Sequence, residues 1–333
     1  MLEGGYMRYV SSLSNALSKK ASRLIFGCTT SQMLAGSDAN ALLDEAFESG
    51  ITMFDTAEAY GLSECSLGNW ISSRGNREDI VIITKGCHPR VNKDGSMGPD
   101  RMSPECLIED IEQSLRRLNT DYIDIYLLHR DNLGLSVGPI IESLNSYYRA
   151  GKIKEFGVSN WSSWRIEAAN EYASSRGLKG ISVSSPNFGL CVQEVDPWGG
   201  GSGCVSISGS EKRSERSWYK KNQIPIFAYS AVGHGMLSGK VKWNDLSTVS
   251  FLDSPARKAY FSNDNLERLH RCEILAQKYE CTVPQIAISW VLSQDEVMAL
   301  PIVSTSKMEN VKANVKALDI ELTSSEVAWL NLE

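Results

Sequence analysis

The feature that most constrains this chain is an alternation that sets in at residue 24 and continues to the end, in which short apolar runs are each followed by a segment long enough for a helix. Residues 24–28, 51–55, 80–84, 122–128, 153–158, 181–184, 225–229 and 298–303 read as strands. The third opens Ile80-Val81-Ile82-Ile83, the continuous apolar run expected when both faces of a strand are covered. Between the strands the periodicity turns helical. In 37–49, Leu42, Leu43, Ala46 and Phe47 share a face and Gly50 supplies the stop. Ser103-Pro104-Glu105 is a strong helix start: Ser caps a free backbone N–H, Pro tolerates the first turn and Glu suits the positive end of the dipole. Leu107, Ile108, Ile111, Leu115 and Leu118 then mark its buried face. Further helices are expected over 62–73, 140–149, 161–175 and 262–295, and through Val311, Val315 and Leu318.

Eight strands alternating with helices predict an α/β fold, a single parallel (β/α)8 or TIM barrel. A doubly wound sheet would need Gly-x-Gly-x-x-Gly at its first turn, and Leu24-Ile25-Phe26-Gly27-Cys28-Thr29 does not supply it. The length of 333 residues exceeds the ~250 of a simple barrel by about 80. The surplus is assigned to an N-terminal extension over 1–22, a long excursion between strands six and seven, and extra helices before strand eight. Residues 23–333 then form one barrel domain.

Forty acidic against 34 basic residues leave a net charge of −6, which is no electrostatic footprint for nucleic acid or an anionic membrane. No run of eighteen apolar residues offers a membrane span. The eight cysteines form no Cys-x-x-Cys pair and do not cluster with the four histidines, so reduced thiols in a cytoplasmic chain without a metal site are expected. Ser11, Ser12, Ser14 and Ser18 with Lys19 and Lys20 give the extension a faint organellar-targeting character. A short helix around Leu13 and Leu17 is the expectation there.

In a barrel the chemistry sits where strands end and βα loops begin. Those positions hold Asp55, Tyr60, Lys85 and His129, so an acid, a phenol, an amine and an imidazole converge on one mouth. Singly, each has an ordinary alternative: a capping Asp, a packed Tyr, a surface Lys, a rim His. Together they resemble the aldo-keto reductases. The segment Ile51-Thr52-Met53-Phe54-Asp55-Thr56-Ala57-Glu58-Ala59-Tyr60-Gly61 is similar to that family's Asp-x-x-x-x-Tyr segment, Thr84-Lys85 to its strand-three lysine, and Asp121 through His129 to its strand-four segment.

The resemblance implies a reductase of small aldehydes or ketones that uses NADPH, with NADH less expected. Tyr60 is the implied general acid and Lys85 the ammonium that lowers its pKa, with Asp55 holding Lys85 charged and His129 orienting the carbonyl. For the cofactor it implies Gly27 and Cys28 at the first strand end, Ser159 and Asn160 in Gly157-Val158-Ser159-Asn160 on the carboxamide, and Tyr229 stacked on the nicotinamide. Ser230 and Val232 then approach the pyrophosphate, and Ser304, Ser306, Lys307, Asn310 and Asn314 the adenosine phosphate and adenine. Two positions depart from the family's pattern: Asn310 stands where many members have arginine, and Ser185 where many have a carboxamide-binding glutamine.

Residues 191–223 exceed the usual ~2–6-residue βα loop. Their glycines lack the Gly-Lys-Ser/Thr ending of a phosphate loop, and 211–221 suits an amphipathic helix around Trp218 and Tyr219. The segment reads either as a surface excursion or as a lid, with Trp198 and Trp161 walling a substrate pocket. A cofactor-binding redox sensor with slow turnover is the alternative function on the same barrel. A Schiff-base aldolase using Lys85 is a third reading, and it leaves Tyr60 and the Ser159-Asn160 turn without purpose.

Overall fold

In a strand successive side chains point to opposite faces, and closure of the sheet makes one of those faces the barrel interior. Here that interior is a layer of Ile25, Met53, Val81, Ile83, Ile125, Leu127, Val183, Phe227 and Leu300, while Leu24, Phe26, Phe54, Ile82, Tyr126 and Phe156 point outward into a larger core beneath the helices. The computed structural model describes residues 9–10, 13, 17–92, 94, 96–197 and 203–333. A two-residue ribbon, β1 (Tyr9–Val10) with β2 (Ala21–Ser22), precedes the barrel strands β3 (Ile25–Gly27), β4 (Met53–Asp55), β5 (Val81–Gly86), β6 (Ile123–Leu128), β7 (Ile153–Ser159), β8 (Ser184–Ser185), β9 (Ile226–Ala228) and β10 (Ala299–Val303). These eight are parallel and close in sequential order, β10 pairing with β3. The fold is the (β/α)8 barrel.

Around the barrel run α1 (Ser31–Leu34), α2 (Asn40–Glu48), α3 (Ser63–Arg74), α4 (Pro104–Leu118), α5 (Val137–Arg149) and α6 (Ser163–Ser175). They are followed by α7 (Arg213–Asn222), α8 (Ser254–Tyr260), α9 (Asn263–Lys278), α10 (Val283–Leu292), α11 (Met308–Val315) and α12 (Ser324–Leu330). Ser103 caps α4 by accepting from the Cys106 N–H, and Asn119 ends the helix in a left-handed conformation that asparagine tolerates. Of the apolar residues expected on its buried face Ile108 is 45% exposed, because it lies one step round the helix from Leu107 and outside the stripe that meets the core.

The structure sets the boundaries of two further segments. The helical stretch expected over 262–295 is made of α9 and α10, separated where Glu280 takes a positive φ of 50° and restarted with Pro284 in the first turn of α10. Strand six is regular only at Ser184–Ser185, one residue past its expected end, while Ser182 and Val183 join it to β7 through single hydrogen bonds, Ser182 N–H to the Phe156 carbonyl and Val158 N–H to the Val183 carbonyl, and Pro186, which has no N–H to donate, follows directly. The short helix expected around Leu13 and Leu17 falls largely outside the described residues. Among the described residues, Val10, Leu13 and Leu17 pack against the interior layer, at the end of the barrel remote from the βα loops. No helix among the described residues is long and apolar enough to cross a membrane.

Candidate active site

Strand parity assembles the site. Asp55 is two residues beyond Met53, Lys85 two beyond Ile83 and His129 two beyond Leu127, so each continues an inward-pointing row. The same parity carries Gly27 from Ile25, Ser185 from Val183, Tyr229 from Phe227 and Ser304 two steps on from Leu300 to the same end. The chemistry-bearing residues therefore share the rows of the apolar interior and lie beyond its last layer.

Lys85 Nζ donates to both Asp55 oxygens, at 2.6 and 2.7 Å, and to the Thr56 carbonyl at 2.9 Å. It also lies 5.1 Å from the Tyr60 ring centre. Burial alone would lower the pKa of Lys85, but the Asp55 carboxylate overrides it and the ammonium's pKa is raised. The Tyr60 ring stands edge-on to His129 at 5.5 Å, and the ring of His88 lies 4.7 Å from His129. Burial raises the Tyr60 hydroxyl above its ordinary 10 and exceeds the downward pull of Lys85. That corrects the expectation of a lowered phenol and leaves Tyr60 protonated at neutral pH. Burial, reinforced by Lys85, Arg130 and His88, holds His129 well below the usual imidazole range, so it is neutral. Its Nδ1 is buried without a partner.

A second cluster ties four strand ends together. Ser159 Oγ donates to the Ser185 carbonyl at 2.8 Å. Asn160, left-handed at φ 62°, donates through Nδ2 to the His129 carbonyl at 3.3 Å. Its Oδ1 accepts from the Tyr229 hydroxyl at 2.8 Å and from the Val205 N–H at 3.2 Å. Ser185 is fully buried and its Oγ donates to the Phe227 carbonyl at 2.9 Å, so the hydroxyl is spent on the barrel wall. Cys28 is also fully buried and offers nothing to a ligand.

Where β3 meets the loop after β10, Ser304 Oγ donates to the Gly27 carbonyl at 2.6 Å, and a Cβ on Gly27 would lie 2.3 Å from that oxygen. Alongside opens a cleft of about 710 Å3 whose walls include Val232, Lys242, Glu273, Ser304, Asn310 and Asn314, a size usual for small-molecule sites. Asn310 Nδ2 donates to Thr305 Oγ1 at 3.2 Å, while Ser306 and Lys307 are exposed at the start of α11. Glu273 Oε1 is buried there without a hydrogen-bond partner. Ser230, at φ 56°, turns the chain out of β9 toward Val232 on the cleft wall.

Trp161 is corrected as a pocket wall. It is fully buried, donating Nε1 to the Arg130 carbonyl at 3.0 Å beneath the Arg165 guanidinium. Trp198 lies outside the described residues. Sequence reasoning missed His88, Arg130, Lys242 and Glu273. The first two carried a signal, standing directly after Lys85-Gly86-Cys87 and after His129; the others reach the cleft only through tertiary packing.

A barrel with this end-on constellation belongs to a known class. The model of the Aldo/keto reductase family matches residues 23–331, and the chain is a member of that family, oxidoreductases that act on carbonyl groups with nicotinamide cofactors. Among its relatives are Protein tas of Escherichia coli (strain K12), 26% identical over 319 residues and 87% of each chain, and the aldo-keto reductase yakc [NADP(+)] of Schizosaccharomyces pombe, 27% identical over 91% of this chain and 85% of its own. The NADH-specific methylglyoxal reductase of Escherichia coli is 27% identical, covering 86% and 84%.

Proposed function

We propose that the protein reduces an aldehyde or ketone to the alcohol, with Tyr60 as the proton donor. The observation that carries this is a neutral, half-buried phenol beside a buried Lys85–Asp55 pair and edge-on to a neutral imidazole. A reduced nicotinamide supplies hydride when bound. Negative charge then grows on the carbonyl oxygen, and the residues around it answer that charge. Tyr60 gives its proton to the oxygen, and the Lys85 ammonium stabilises the phenolate left behind. Asp55 favours the charged form of Lys85 in a site where burial disfavours it. His129, neutral, donates a hydrogen bond to the carbonyl oxygen and brings no charge that would compete with Lys85.

On this reading Ser159 and Asn160 hold the carboxamide, Tyr229 backs the nicotinamide, and the cleft beside Ser304 takes the adenosine. Ser306 and Lys307 opening α11, with Lys242 across the cleft, favour the 2′-phosphate of NADPH through helix dipole and ammonium charge. Tighter binding of NADH would transfer the reading to the unphosphorylated nucleotide, with Glu273 accepting from the ribose hydroxyl.

Tyr60→Phe tests the assignment. Turnover of an aldehyde panel should fall by about 10²–10⁴-fold, while the Kd for nucleotide, read by fluorescence quenching, stays within about twofold of wild type. Undiminished turnover removes Tyr60 from the role. Tight nucleotide binding by wild type without turnover of any carbonyl would favour a redox sensor.

A further inference from the structure

The outer helix α4 carries Arg116 and Arg117 in its last turn, where cations ordinarily do no more than suit the negative end of the helix dipole. Arg117 goes further. Its Nη1 donates at 3.0 Å to the carbonyl of Glu58, 59 residues earlier in the chain, and lies 3.5 Å from both the Glu58 and the Glu64 carboxylate. Those side chains are 9% and 0% exposed, so little water competes for them. Glu58 and Glu64 bracket Tyr60. The turn that holds the phenol is closed by the Tyr60 N–H donating to the Ala57 carbonyl at 3.0 Å and the Ser63 N–H donating to the Tyr60 carbonyl at 2.9 Å. The Glu58 N–H donates to the Lys85 carbonyl at 2.8 Å. Glu58 is therefore held from two sides, by the Lys85 strand through its N–H and by α4 through its carbonyl. A second branch reaches the same strand: Thr84, which points outward as Lys85 points in, donates Oγ1 to Glu64 Oε1 at 2.7 Å. What lets α4 come so near is Gly68 of α3, where a Cβ would meet the Arg117 carbonyl at 2.5 Å.

Resting on the reductase reading above, we infer that Arg117 is a positioning residue of that reaction, setting the Tyr60 turn against Lys85 from outside the barrel wall. Proton transfer needs the phenol within hydrogen-bond reach of the carbonyl oxygen and the ammonium close enough to stabilise the phenolate. A displacement of about 1 Å costs about 10²-fold in such a step. Loss of the guanidinium frees the Glu58 carbonyl and leaves two enclosed carboxylates without the cation between them, which favours a turn that opens toward water. Arg117 meets the frame of the site and not the reacting atoms, so its effect passes through the place where the Tyr60 hydroxyl stands. The loss then falls on kcat, while the binding of carbonyl and nucleotide holds.

The test is a double-variant cycle of Arg117→Met with Tyr60→Phe. In Arg117→Met kcat over an aldehyde panel should fall by about 10- to 100-fold. KM and the Kd for reduced nucleotide should each stay within about threefold of wild type. Arg117→Lys keeps the charge beside the carboxylates and loses the planar fork; its kcat should lie between the two, and it carries the cycle should the methionine variant not fold. The deciding measurement places the substitution in the Tyr60→Phe background, with residual turnover read by nucleotide absorbance at raised enzyme concentration. There it should change the rate by less than about threefold, since no phenolic proton is left to position. A loss repeated in full in that background would show that Arg117 supports the barrel at large and would overturn the inference. So would a kcat unchanged in both Arg117 variants, or a KM or nucleotide Kd that rises as much as kcat falls; each of these leaves the reductase reading intact. Undiminished turnover by Tyr60→Phe alone, or failure of wild type to reduce any carbonyl with either nucleotide, would overturn the reading and the inference together.

Discussion

Asp55→Asn conserves volume and removes one charge of a pair that is almost wholly enclosed: the side chains of Lys85 and Asp55 are 3% and 5% exposed. The ammonium would keep the Thr56 carbonyl, now at 2.9 Å, and gain an amide oxygen in place of a carboxylate. Removing one partner of a buried pair costs about 3–5 kcal/mol, and the two remaining acceptors put this site near the lower figure, about 3 kcal/mol. A chain of this size loses about 2 °C of Tm per kcal/mol, so the melt should fall by about 6 °C. The pH dependence carries the sharper test. In wild type Lys85 lies above its ordinary 10.5, so the pair's stabilisation is fully present below 10.5 and is lost as pH rises through the higher value of the fold. In the variant burial acts alone and Lys85 drops below 10.5, so the variant becomes more stable as pH rises toward that value. Between about pH 7 and pH 10 the gap between the two melting curves should therefore narrow. Calorimetry across that range reads it directly. A gap under about 1 kcal/mol, or one that widens with pH, would refute the claim that Asp55 is what keeps a buried ammonium charged. Aldehyde turnover by the same variant should fall by about 10²–10⁴-fold, since Tyr60 loses its charged neighbour.

Asn160→Ala removes the acceptor of Tyr229 and Val205 at once; a loss of about 1–3 kcal/mol in urea unfolding and a raised KM for nucleotide are expected, and an unchanged KM would detach this turn from the cofactor. Gly27→Ala should force Ser304 off the Gly27 carbonyl at a cost of about 1–3 kcal/mol, with weaker nucleotide binding by titration; wild-type affinity would show that this corner does not shape the cleft. Because burial, with Lys85, Arg130 and His88, depresses His129, its neutral form contributes stability that is complete above 6.5 and lost as pH falls below it. The kcat/KM profile should carry no inflection near 6.5 that disappears in His129→Gln.

The barrel and the four residues at its mouth were legible from the sequence because each rests on short-range regularity. Period-two apolar rows fix which strand residues face inward, and Asp55, Lys85 and His129 merely continue rows begun by Met53, Ile83 and Leu127. Strand six was set too early because an apolar run carries no information about where its hydrogen-bonding partners stop. Ile108 was misplaced because a buried stripe is only as wide as the neighbour it meets.

Other properties needed the tertiary structure, because they depend on what closes around a group rather than on its position in the chain. The sequence sets a lysine beside a tyrosine, which alone implies a lowered phenol. Only the enclosure of Tyr60 shows that desolvation outweighs that charge. Trp161 reads as a pocket wall until its indole is found spent on the Arg130 carbonyl. Glu273 and Lys242, some thirty residues apart, carry no motif at all and become one cleft only when α9 packs against the loops after β9 and β10. Local pattern therefore determined which residues reach the mouth, and long-range packing decided their charge states and their company, since burial and Coulomb forces act through space and take no account of chain order.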